Sequence, residues 1–166
     1  ISLGCTGKFS LIRRIFDLHS PIRVREELEE ISRTDDEIGK TAKEILNDQY
    51  LSFHDLPQSL KSAKGEVEAV NLASELKAQA IVMDDLQYMK KLEGKTSIPI
   101  WFSSFVIYLL FEDRLITRKE GLSAIDDIVI AIPACCGPGP EFRIRQRTEN
   151  LAAARWLGRA ETNQVG

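Results

Sequence analysis

Apolar runs too short to be helices alternate with longer stretches in which apolar residues return every three or four positions. No other feature of the 166-residue chain restricts its fold as much. Strand-like runs are expected at residues 1–3, 51–53, 80–83 and 98–102, and a further run at 22–24 is too short to assign from itself alone. Between them, helical patterning is expected at 9–18, 25–32, from Gly65 onward, at 86–92, from Ser103 or Ser104 to Phe111, and at 118–125. A further helix, capped by Asp35 or Asp36, carries Ile38, Ala42, Ile45 and Leu46 on one side. Residues 56–64 read as a loop or lid. Strands alternating with helices join through right-handed crossovers, which gives an α/β class with a mostly parallel sheet covered on both faces.

With 43% hydrophobic residues the chain can build one ordinary domain, expected over 1–133, followed by a flexible tail over 134–166 that opens with Cys136-Gly137-Pro138-Gly139-Pro140. A net charge of −3 argues against holding nucleic acid by bulk positive charge. Lys90, Lys91 and Lys95, or Arg143, Arg145 and Arg147 in the tail, could still touch phosphates, although ordinary surface charge explains them as simply. Cys5, Cys135 and Cys136 lack zinc-ligand spacing and read as reduced thiols of a cytoplasmic protein or as core residues. The longest apolar run, 98–111, is interrupted by Ser103 and Ser104 and falls short of the roughly 20 residues of a membrane span, so no membrane partner is expected. His19 and His54 are too few and too separated to suggest a zinc site or a catalytic triad, and both read as structural or solvent-facing. A G-x-S-x-G elbow and a phosphate-binding glycine loop are both missing from the sequence, which disfavours those hydrolase types.

Carboxylates bracket one helix-strand unit. On a wheel of about 100° per residue, Ala69, Val70, Leu72, Ala73 and Leu76 share an arc, with Glu66 projecting into its middle and Glu68 just off it. A carboxylate buried without a partner costs several kcal/mol, so Glu66 is expected to meet a cation, a metal or hydrogen-bond donors, or to be protonated. Asp84 and Asp85 close the following strand, at the kind of strand end outside which α/β sheets bind ligands. Glu27 lies beside an apolar stripe of Val24, Leu28 and Ile31, within a run that is otherwise an acidic solvated helix. Clustered carboxylates suit phosphodiester hydrolysis, because the divalent ions they hold stabilise charge on the phosphate oxygens and deprotonate the attacking water.

The stretch Gly65-Glu66-Val67-Glu68-Ala69-Val70-Asn71-Leu72-Ala73-Ser74-Glu75-Leu76-Lys77-Ala78, followed by Ile81-Val82-Met83-Asp84-Asp85, resembles the GExEAxxLAxELxA and hydrophobic-DD pattern of PIN-domain proteins, in particular their prokaryotic branch. Val24-Arg25-Glu26-Glu27-Leu28 resembles that family's V-x-x-E-L helix, and residues 102–116 resemble the segment near the domain's end. The resemblance implies a three-layer α/β/α sandwich with an acidic pocket that binds Mg²⁺ or Mn²⁺. By it Glu27, Glu66 and Asp85 are metal ligands and catalytic groups, with Glu68 and Asp84 as supporting or second-metal groups. It further implies cleavage of single-stranded RNA, an antitoxin-like protein partner as in toxin-antitoxin pairs, and a homodimer.

The chain departs from the family pattern at one place. PIN proteins usually begin with a strand ending in aspartate, and here Gly4 or Cys5 stands at the corresponding position. A soft thiolate substitutes poorly for a carboxylate toward a hard ion. A module that binds RNA or protein without cleaving is therefore the alternative expectation. A receiver-type signalling domain would need an acidic pair after its first strand and a lysine after its last, and neither is in place.

Overall fold

The computed structural model describes residues 1–47, 51–92 and 94–136. The short α1 (Phe9–Ile12) precedes strand β1 (Leu18–Pro21), which leads into α2 (Ile22–Ile31) and α3 (Glu37–Asn47), and the chain returns as β2 (Leu51–His54). Then come α4 (Gly65–Glu75), β3 (Ile81–Val82), α5 (Leu86–Leu92), β4 (Ile100–Trp101), α6 (Ser103–Glu112) and α7 (Arg118–Cys136). β1 pairs with β2 in parallel, Leu18 opposite Leu51 and Pro21 opposite His54, and β3 pairs with β4 in parallel, Ile81 opposite Ile100. The α/β class and parallel pairing are as expected, while the sheets are small, two strands each.

Local chemistry accounts for several boundaries. Proline disfavours helix in the residue before it. The first strand accordingly runs to Pro21, whose extended backbone (ψ 155) precedes the first helical residue, Ile22. The run at 22–24 is thus the opening turn of α2 rather than a strand, and the strand lies just upstream of it. Asp36 caps α3 by accepting the Gly39 N–H at 2.8 Å, as its position suggested. Helix α5 occupies the expected residues.

Residues 1–3 are not a strand. They form a turn that enters a 3₁₀ helix over Gly4–Thr6, held by the Cys5 N–H on the Ile1 carbonyl and by the Thr6 hydroxyl on the Leu3 carbonyl at 2.6 Å. Close packing on α3 selects glycine at position 4, because a Cβ there would lie 2.6 Å from Ile45 Cδ1 and 2.9 Å from Thr41 Cγ2. The helix expected over 118–125 continues to Cys136, because its apolar stripe runs on from Ile125 through Ile128 and Ala131, all buried. The boundary expected at 133 therefore falls inside α7, and most of the expected tail, residues 137–166 with Arg143, Arg145 and Arg147, lies outside the described residues. Among the described residues no helix is long and apolar enough to cross a membrane.

Three apolar clusters hold these elements. The largest joins Ile12 of α1 to Val106, Ile107 and Leu110 of α6 and to Ala124, Ile125 and Ile128 of α7. A second packs α4 against β3 and α5 through Ala73, Ile81, Met83 and Leu92, and a third joins α2 and α3 through Leu28, Ala42 and Ile45. Since Leu110 is fully buried, Leu110→Ala is expected to destabilise the fold by about 2–5 kcal/mol in urea unfolding. A loss under about 1 kcal/mol would show that α6 is not central to the core.

Candidate acidic site

Glu27 of α2 meets the N-terminus of α4. The Gly65 N–H donates to Glu27 Oε1 at 3.2 Å, and Arg23 Nε lies 3.6 Å from the same oxygen. The first amides of an 11-residue helix are unpaired within it and carry its positive dipole end, so a carboxylate is favoured there. Glycine at position 65 makes the approach possible, because a Cβ would stand 2.9 Å from Glu27 Oε2 and 3.0 Å from Val24 Cγ2. Burial pushes the Glu27 carboxyl above its ordinary value of 4.5; the Gly65 bond and Arg23 oppose that rise, and repulsion from Glu66 and Glu68 adds to it.

Glu66 is half-buried and acts in two directions. Its charge reaches Glu27 on α2 and also Tyr88 on α5, whose hydroxyl is raised first by burial and then by Glu66. Glu66 therefore links the α2 side of the site to the α5 side. Glu68, rather than Glu66, is the buried carboxylate of α4, only 3% exposed. The segment before α4 folds back over the helix, the Ser62 N–H donating to Glu68 Oε1 at 2.8 Å and the Asn71 side-chain amide to the Leu60 carbonyl at 2.8 Å. A helical wheel registers only the helix's own apolar arc, and this covering segment lies outside it.

The two aspartates at the end of β3 diverge. Asp84 reaches α6, where its Oδ1 accepts the Ser103 N–H at 2.9 Å and its Oδ2 the Ser103 hydroxyl at 2.6 Å. Asp85 caps α5, its Oδ1 accepting the N–H groups of Gln87 at 2.8 Å and Tyr88 at 3.0 Å. Ser103 or Ser104 was expected to cap α6; that position is held by Phe102, without a side-chain bond, and Ser103 anchors Asp84 instead. Ser103 and Tyr88 are the participants that sequence reasoning missed. A serine just after a strand was the available signal for the first, and nothing local marks the second.

Gly4 and Cys5 do not end a strand. Gly4 packs on α3, and Cys5 Sγ lies 3.8 Å from Thr41 Oγ1 on the same helix. Among the described residues no three His, Cys, Asp or Glu side chains stand close enough together to hold a metal ion. The donor set nevertheless fits a hard divalent ion in its chemistry. It consists of carboxylate oxygens whose mutual repulsion at Glu27 a cation would relieve.

Glutamates on two helices and two aspartates just past a parallel strand belong to a domain of the α/β class. A sequence model of the PIN domain matches residues 1–129, and the chain belongs to the PIN-domain family. No curated protein and no solved structure matches it. PIN domains are generally divalent-metal dependent, and membership implies nuclease-type function and nucleic-acid binding.

Two outcomes follow from this geometry. Gly65→Ala displaces the flexible end of Glu27 and adds a better helix former, so the melting temperature should change little, within about 1 kcal/mol in stability. The rise in melting temperature on adding Mn²⁺ should nevertheless shrink; an undiminished rise would show that Glu27 need not sit on α4. The second concerns pH. A carboxyl raised on folding favours the native state while protonated, and that contribution is lost as pH rises through the raised value. Without divalent ions, Glu27→Gln should therefore be more stable than wild type at pH 7, and the advantage should vanish below pH 4.5. Equal stability at both pH values in thermal melts would refute the rise of the Glu27 carboxyl on folding.

Proposed function

We propose that the chain is a divalent-metal-dependent ribonuclease that cleaves single-stranded RNA at the junction of α2, α4, β3 and α5. The observation that carries this reading is the half-buried Glu27 carboxylate seated on the Gly65 N–H at the N-terminus of α4, the helix that also carries Glu66 and Glu68, within a PIN-family chain. Glu27, Glu66 and Asp85 would hold Mg²⁺ or Mn²⁺. Asp85 uses Oδ1 to cap α5, leaving Oδ2 for the ion, while Asp84 is fixed by Ser103 and Glu68 by Ser62 as supporting groups. When bound, the ion supplies charge stabilisation to the phosphate and a deprotonated water. The chain's own residues position the ligands: Gly65 and Arg23 orient Glu27, and the cap on α5 orients Asp85.

A second reading, a PIN module that binds RNA or a protein partner without cleaving it, is favoured by the same two facts. No three-ligand group is assembled among the described residues, and residues 4 and 5 pack on α3 rather than closing a strand. One experiment separates the readings. Labelled single-stranded RNA is incubated with the protein and Mn²⁺, with Glu66→Gln and Asp85→Asn run alongside. Cleavage by wild type that falls by two or more orders of magnitude (roughly 100-fold) in both variants supports the nuclease. Binding without cleavage in all three supports the module. Cleavage unaffected by either substitution would remove both residues from the site.

A further inference from the structure

His19 and His54, 35 residues apart in sequence, meet across the β1–β2 pair, with His19 Nδ1 2.9 Å from His54 Nε2 and ring centroids 5.0 Å apart. The reading of both as solvent-facing agrees with this exposed contact; what the sequence did not show is that the two rings touch. The register explains the meeting. His19 lies opposite Ser52, and His54 follows Ser52 by two residues, so both rings leave the same face of the ribbon on a diagonal. The other face carries Leu18, Leu51 and Phe53, which pack on the apolar clusters. Pro21, at the end of β1, is buried, while His19 is exposed and so is the contact between the rings.

We propose that His19 and His54 form a two-imidazole site for a borderline divalent transition ion such as Ni²⁺, Cu²⁺ or Zn²⁺. Imidazole nitrogens suit these ions, whereas Mg²⁺ and Mn²⁺ favour oxygen, so the site is chemically distinct from the acidic one. With metal–nitrogen distances of about 2.0–2.1 Å, two ligands at 90–110° stand roughly 2.9–3.4 Å apart. The observed 2.9 Å falls at the near edge of that range, so the two strands already hold the donors at chelating separation. In the metal-free pair one ring donates its N–H to the other. On ligation that proton moves through solvent to the other nitrogen of the same neutral ring, and both facing lone pairs become available without a change in ring charge. The flanking Asp55 is engaged by Lys61 at 2.7 Å, and water completes the coordination. An ion there would pin β1 to β2 and stabilise the fold that positions α2, which begins immediately after Pro21.

The test is isothermal titration of Ni²⁺ into the full chain, in wild type and in His19→Gln, His54→Gln and the double variant, with circular dichroism to confirm that each is folded. Chelation predicts one tight site in wild type and a loss of affinity on the order of 100-fold in each single variant, nearly equal to that of the double. Zn²⁺ should raise the melting temperature of wild type and not of the double variant, provided the folded state binds more tightly than the unfolded chain. Unchanged Ni²⁺ affinity in either single variant, or tight binding surviving in the double variant, would overturn the proposal. Because the four proteins do not differ at the acidic residues, Mn²⁺-dependent RNA cleavage is expected to be the same in each when no Ni²⁺, Cu²⁺ or Zn²⁺ is added.

Discussion

The seat of the Glu27 carboxylate on the first amide of α4 is the contact on which the proposed acidic site depends. It joins α2, which follows directly from β1, to the helix that carries the other two glutamates. Both ends of the contact are specified by sequence. Glycine at position 65 removes the Cβ that would occupy the carboxylate's place, and the helical register of α2 aims Glu27 away from the buried Leu28. The contact is nevertheless a compromise, because the amide and Arg23 favour the charge while burial and the neighbouring glutamates oppose it. Such unresolved charge is a common mark of functional sites.

The rest of the site is supported rather than free. Glu68 is held by the segment folded over α4, and Asp84 by a serine 19 residues later in the chain. Asp85 is bound to the start of α5. Each carboxylate is thereby tied to a different element, so their spacing depends on how α2, α4, α5 and α6 pack around two short parallel ribbons. Glu66 is the member that couples the two sides, since its charge is felt by Glu27 and by Tyr88. A ligand binding between them would draw on that coupling directly.

Much of this was legible in the sequence, and the exceptions share a cause. Periodicity located α5, the cap on α3 located its start, and the short apolar runs located β2, β3 and β4, because those signals are local. The motif around Gly65 and the paired aspartates identified the family. Non-local packing was out of reach. The burial of Glu68 depends on a covering segment, the hold on Asp84 on Ser103, and the conformation of residues 1–6 on the surface of α3. Asp84 and Asp85 lie past β3 and bond to different helices, and strand alternation alone does not say which of them caps α5 and which reaches across to α6.

The His19–His54 contact shows the same limit. Each histidine, read alone, is an ordinary surface residue, and only the parallel register of β1 and β2 makes them a pair. A diagonal contact of this kind is sensitive to register: a slip of one residue would send one ring to the opposite face, among Leu18, Leu51 and Phe53. The apolar face prevents that slip, because it would move those residues into solvent. The burial that fixes the ribbon on one side therefore fixes the imidazole separation on the other, and an ion bound there would reinforce a register already set by packing.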